Sequence, residues 1–327
     1  MINRELIRLR VVQLVYAFYR NEGKTLDVAE KEFFFSFDKT YELYLYMLSL
    51  LVEVHKFAVR KNETRIARMQ RLGNDKADGI FPDKMVAENK FLLQLADNKE
   101  LGAYMEQKKE WIEEEPFVKK LYNTLIESDI FQLYLTKEEF DYEADRELVR
   151  KFYKTYVCNN EGVEDLIEDH CLYWNDDRFV VDSFVLKTIK RFAQAAGSDQ
   201  PLLPQFANEE DREFAAKLFA AAINNESRTR IIIRENCKNW EFDRLAFMDV
   251  IIMQIALAEI LSFPSIPASV TVNEYLDIAR VYSTPRSTTY INGLLDHAIK
   301  KLRTEGVILK ELVHGPKPAA ATPKEKE

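Results

Sequence analysis

The chain has 327 residues, 47% hydrophobic and 31% charged, with 54 acids against 46 Lys and Arg, a formal net charge of −8 and a pI of about 5.4. Only 9 residues are glycine, which disfavours a many-stranded sandwich or barrel. No G-x-G-x-x-G and no G-x-x-x-x-G-K-[ST] occurs, which disfavours a Rossmann or P-loop enzyme. The three scattered cysteines (Cys158, Cys171, Cys237) form no paired framework and fit a reduced cytoplasmic protein. An acidic chain attracts nucleic acid only through a local basic patch.

In chain order, Asn3 can cap a first helix running to about Arg20. The apolar run Val11–Tyr19 imitates a signal peptide, but Gln13 interrupts it and Arg20-Asn21-Glu22 follows instead of a small-residue cleavage site. A long helix is predicted over Leu26–Arg71, crowded with Phe33, Phe34, Phe35, Phe37, Tyr41, Tyr44 and Tyr46. This aromatic density reads as core. A turn-like segment, Gly73-Asn74-Asp75 to Pro82, ends it. Lys84–Leu135 reads as helix with a break at Pro116. Residues 138–178 hold 13 acids and 5 bases, within which Glu164, Asp165, Glu168 and Asp169 read as a solvated helix face. A linker is expected at 196–204.

Helices are then predicted at about 208–224, 227–237, 242–263, 272–282 and 285–304. Leu245–Phe263 is nearly all apolar but contains Asp249, Gln254 and Glu259. Each acid would cost roughly 3 kcal/mol at a bilayer centre, so a buried core helix is expected and no membrane span. Thr271-x-x-Glu274 has the form of a capping box, and Ser283-Thr284-Pro285 places a hydroxyl before a proline at a helix start. The tail from 315 is rich in Pro, Ala, Lys and Glu and is expected to be disordered.

The chain also carries a partial internal repeat. At an offset of 66 residues, 145–178 match 211–244 at ten of 34 positions, among them Asp145/Asp211, Cys171/Cys237, Trp174/Trp240 and Arg178/Arg244. A duplicated unit of three helices is expected.

Searches for catalytic chemistry give little. The four histidines (His55, His170, His297, His314) are far apart, and Glu311-x-x-His314 is the sole Glu-x-x-His pair. Ser262 and Ser269 lack a nucleophile-elbow setting. No metal, no cofactor and no enzymatic activity are expected. The first helix is more informative. Arg4 and Arg8 lie about 40° apart around a helix, and Tyr19 falls near the same azimuth, whereas Arg10 points about 200° from Arg8. A basic stripe with an aromatic can hold phosphates and stack on an unstacked base.

One region carries a family resemblance. It reads Phe242-Asp243-Arg244, then Ala256-Leu257-Ala258-Glu259-Ile260-Leu261, Ile266-Pro267, Val272-Asn273-Glu274, Ile278-Ala279-Arg280 and Tyr290-Ile291-Asn292-Gly293-Leu294-Leu295-Asp296. The order and spacing of these elements resemble the C-terminal half of the NusB family of transcription antitermination factors. Arg4, Arg8, Gln13 and Tyr16 resemble that family's first helix. The resemblance covers about 40% of the chain, residues 1–22 plus 205–313, and leaves 23–204 as a large helical insertion and 314–327 as the tail.

The resemblance implies an all-α fold, a two-subdomain helical bundle with the insert added. It implies a cytoplasmic, non-enzymatic factor that binds boxA-like RNA together with the ribosomal protein NusE and acts on RNA polymerase in an antitermination complex, mainly on ribosomal RNA operons. It places Arg4, Arg8, Tyr16 and Tyr290 on the RNA side, and Glu259 on a partner-facing helix; Arg10 and Arg286 are added as candidate RNA contacts from their own charge. Asn292-Gly293 is expected to allow close helix packing. Two positions of the family's arginine run are Glu5 and Leu6 here, and Arg286 stands where many members carry an acid. The rival expectation is a protein-interaction scaffold that works through the insert, without RNA.

Overall fold

The computed structural model describes all residues except 22, 24, 73–78, 109–110, 112, 238–241, 243–244 and 310–327. The described residues form fifteen α-helices and no strand beyond an isolated bridge between Ile2 and Phe206. The all-α expectation holds. The tail, Trp240 and Asp243-Arg244 lie outside the described residues.

The chain divides into two compact units. The second unit holds residues 2–35 and the chain from 206 onward. Its helices are α1 (Arg4–Arg20), the start of α2 (Leu26–Arg71), α11 (Glu209–Asn224), α12 (Glu226–Asn236), α13 (Phe247–Ser262), α14 (Ala268–Tyr282) and α15 (Pro285–Thr304). Helix α13 is the hub. Every residue from Asp249 to Ile260 is buried, and α1, α11, α12, α14 and α15 all pack on it. A helix apolar all round finds its place only at the centre of such a bundle.

Side-chain caps mark several of the helix starts. Asn3 accepts from the Leu6 amide and starts α1. Thr284 caps α15, with Pro285 at its first position. The predicted capping box fails: α14 already starts at Ala268, so Thr271 lies a turn inside the helix with its hydroxyl turned to Glu259. Helix α13 starts at Phe247, later than the expected 242.

The first unit is essentially residues 36–205. It contains the rest of α2 and then α3 (Pro82–Ala87), α4 (Lys90–Ala96), α5 (Lys99–Gln107), α6 (Glu115–Glu127), α7 (Asp129–Leu135), α8 (Tyr142–Phe152), α9 (Glu161–His170) and α10 (Arg178–Arg191). The stretch 84–135 is broken more often than Pro116 alone predicts. Asn89, Asn98 and Ser128 each accept an amide hydrogen bond and open a new short helix. Phe37, Tyr44 and Tyr46 are buried, and Tyr46 stacks on Trp111 at 4.2 Å between ring centres. Phe33, also buried, stacks on Phe219 of the second unit's own core at 4.6 Å. The start of α2, residues 26–35, therefore belongs to the second compact unit.

Helices α8, α9 and α10 start at 142, 161 and 178, and α11, α12 and α13 start at 209, 226 and 247.

Candidate nucleic-acid interface

The candidate residues fall in the second unit, at two separate ends of α1 and α13. At one end stand Arg4, Arg8 and Glu259. The Arg8 guanidinium faces Glu259 through two parallel bonds, Nε–Oε2 and Nη2–Oε1, both 2.9 Å. Its Nη1 reaches Glu274 at 3.2 Å. The Thr271 and Tyr275 hydroxyls donate to the same Glu259 carboxylate at 2.8 and 3.0 Å. Burial works against the Arg8 charge, but the bonds and charge of Glu259 outweigh it and raise the guanidinium pKa. The Tyr275 hydroxyl is pushed well up, by burial first and then by Glu259.

Three expectations are corrected here. Arg8 is 4% exposed and Glu259 is 0% exposed, so both side chains lie inside the second unit and not on its surface. Arg10 is buried as well, at 4%. The physical reason is that α1 packs on α11, α13 and α14 together, leaving residues 6–12 almost no solvent-facing side. Arg4, one turn nearer the helix start, keeps 42% of its side chain exposed. It donates to Asp211 at 3.0 Å and lies 5.0 Å over the Phe214 ring.

The other end gathers aromatic and cationic groups around the start of α13. The half-buried Tyr16 ring packs at 5.4 Å on Phe247, the first residue of α13. The exposed Arg20 lies over both rings, 5.4 Å from Tyr16 and 5.1 Å from Phe247. Tyr19 meets Phe247 edge-on, accepts a hydrogen bond from Gln254 and carries Arg230 over its ring at 5.0 Å. Burial pushes the Tyr19 hydroxyl up to about 12. Two residues further along α13, Asp249 accepts from Ser283, just before α15. In the first turns of α15, Arg286 is exposed and Tyr290 is half-buried. The Tyr290 hydroxyl donates to the Cys237 thiol at 3.3 Å and is raised in pKa, by burial first.

Tyr16 thus packs at the start of α13, Tyr290 is tied to Cys237 just after α12, Arg286 is exposed in the first turn of α15, and Arg4 stands toward the opposite end of α1 from Tyr16. Helix α13 spans about 24 Å over its 16 residues. Arg20, Phe247 and Arg230 escaped the sequence reading. The spacing of Tyr16 and Arg20, four residues apart on one helix, could have pointed to the first of these. The Asn292-Gly293 expectation is also corrected. Both residues are exposed, and a side chain at Gly293 would meet nothing within 4 Å. Among the described residues no group of His, Cys, Asp and Glu is arranged to hold a metal ion. No described helix is long and apolar enough to cross a membrane.

The second unit is a helical bundle with a buried Arg8–Glu259 ion pair toward one end of α13 and an aromatic–arginine cluster at the other. Comparison with known proteins gives that bundle a family. The family model described as the NusB family matches residues 181–300, which include Glu259, Arg286 and Tyr290. The chain is 33% identical over 132 residues to a transcription antitermination protein NusB of Salinibacter ruber, covering 38% of this chain and 82% of that protein. It is 32% identical over 118 residues to the protein of the same name from Geobacter sulfurreducens, covering 34% of this chain and 86% of that one. With the Chloroherpeton thalassium protein of that name it shares 34% identity over 99 residues, 30% of this chain and 47% of that one. No solved structure matches. The chain belongs to the NusB family.

Proposed function

We propose that this protein is a non-enzymatic, cytoplasmic transcription antitermination factor that binds boxA-like single-stranded RNA together with ribosomal protein NusE. In that role it serves the antitermination complex of RNA polymerase, mainly on ribosomal RNA operons. The observation that carries the reading is the surface at the start of α13, where Arg20 lies over the Tyr16 and Phe247 rings; exposed Arg286 and half-buried Tyr290, in the first turns of α15, add a second cation and ring. Cations beside half-exposed rings suit a strand of phosphates with splayed bases. Arg4 adds a partly exposed charge further along α1. Arg8, Arg10 and Glu259 belong to the core of the bundle, since all three are buried.

The test is fluorescence anisotropy of a labelled boxA-like RNA across a salt series, with and without NusE. Binding that NusE strengthens, with a salt slope that flattens in Arg20→Ala and Arg286→Ala, supports the reading. An affinity indifferent to NusE and to both substitutions sinks it.

A second reading has its own observation. In the first unit Leu172 is 84% and Phe179 is 86% exposed. They follow α9, whose Glu164, Asp165, Glu168 and Asp169 are all exposed. Large apolar side chains beside carboxylates suit a basic protein partner, as a scaffold would need. Leu172→Ser with Phe179→Ser would abolish partner capture by a scaffold and leave RNA binding untouched.

A further inference from the structure

Gly293 sits in the middle of α15, a 20-residue helix, where glycine lowers helix propensity relative to alanine. Nothing inside the protein requires it. Its φ is not in the left-handed region, which among the described residues only Gly23, Gly197 and Gly306 occupy. A Cβ built there finds open space. The residue is exposed, so no other helix uses the gap.

What surrounds the gap is specific. Arg286, Tyr290 and Gly293 follow one another at spacings of four and three, which puts them along one side of the helix. Tyr290 is held in place by its hydroxyl bond to Cys237. A helical side chain lies over the turn N-terminal to its own Cα, so any side chain at 293 would stand over the turn that carries Tyr290.

We propose that Gly293 is a positioning residue for single-stranded RNA: the sugar–phosphate strand crosses the bare helix backbone at Gly293 while a base stacks on Tyr290 and Arg286 holds a phosphate. The inference rests on the RNA-binding reading above. It adds a residue whose contribution is the absence of a side chain.

The test uses the full-length protein and separates fold from binding by sign. Gly293→Ala should raise the thermal midpoint by about 2 °C, because alanine favours the helix and meets no clash. The same substitution should weaken the Kd for a labelled boxA-like RNA about fivefold or more. Gly102→Ala in α5 is the control, since its Cβ also meets nothing within 4 Å. It should raise the midpoint and leave the Kd unchanged. An unchanged RNA affinity in Gly293→Ala, with the unsubstituted protein binding normally, overturns the inference and leaves the RNA reading standing. A lowered midpoint overturns it in favour of a packing role. A loss confined to NusE binding overturns it in favour of a protein contact. If the unsubstituted protein binds no RNA, the reading and the inference fall together.

Discussion

Arg8 and Glu259 are 251 residues apart in the chain and meet through two parallel 2.9 Å hydrogen bonds in the core of the second unit. Both are essentially removed from water, at 4% and 0% exposure. A pair of this kind is replaceable as a pair and costly to halve. Arg8→Met should therefore lose about 3–5 kcal/mol, because the buried Glu259 carboxyl is left with only the Thr271 and Tyr275 hydroxyls to serve it. The double substitution Arg8→Met with Glu259→Met should recover most of that loss. Urea denaturation of the single and double variants checks both. A double variant as unstable as the single would show that the hydroxyl network, and not the ion pair, sets the cost.

Arg4 makes the opposite kind of pair. Its side chain is 42% exposed and its bond to Asp211 is a single one. Arg4→Ala should change stability by less than about 1 kcal/mol, as exposed pairs do. If Arg4 touches a phosphate, the slope of log K against log salt should fall by about one charge. Denaturation and the anisotropy series, run on the same preparation, report the two effects separately.

The aromatic cluster should act through stacking. Tyr16→Ala removes the ring that lies on Phe247 and under Arg20. The expected loss of RNA affinity is about 1–3 kcal/mol, the range for a stacked base, with little change in salt slope. Tyr16→Phe should keep most of the affinity, since a ring remains. Equal losses in the two variants would assign the effect to the hydroxyl that Arg20 contacts at 3.3 Å.

His55 gives the first unit a pH dependence. The imidazole is buried, its Nε2 lies 2.9 Å from the Ala87 carbonyl and its Nδ1 has no hydrogen-bond partner. Burial lowers its pKa below the ordinary 6.5, with the Ala87 carbonyl opposing. The unfolded chain therefore takes up the proton first. The contribution of His55 to stability is present above pH 6.5 and is lost as the pH falls through the folded-state value. Urea midpoints between pH 7.5 and 5 should fall more steeply for the native sequence than for His55→Leu. Parallel slopes would mean that other groups carry the acid response.

Much of the fold could be read from residues whose chemistry is local. Asn3, Thr284 and Pro285 announce helix starts because a cap needs only its own few neighbours. Thr271 and Glu274 have the same local pattern and mislead, because their partners are Glu259 and Arg8 from other helices. The site divides in the same way. Exposed Arg286 and buried Arg8 look alike as letters, and only the packing of three helices around α1 distinguishes them. One clue was present: Glu259 in a nearly continuous apolar run required a cation, and Arg8 is that cation. Gly293 was legible as unusual, but its exposure follows only from where α15 turns its other side.

The distance along the chain between α1 and its neighbours bears on how the protein is made. Helix α1 is translated before its neighbours, yet it packs on α11, α13 and α14, which begin at residues 209, 247 and 268. Synthesis proceeds at roughly 5–20 residues per second, so α1 waits on the order of 10–50 seconds for the surface that buries it. Residues 36–205 are contiguous and complete their own unit in that interval. During that wait Ile7, Val11, Val12 and Val15 stay in water, and Arg8 has no carboxylate to meet. The arginines and Glu5 spaced among those apolar residues then keep the nascent helix soluble until its acid is translated.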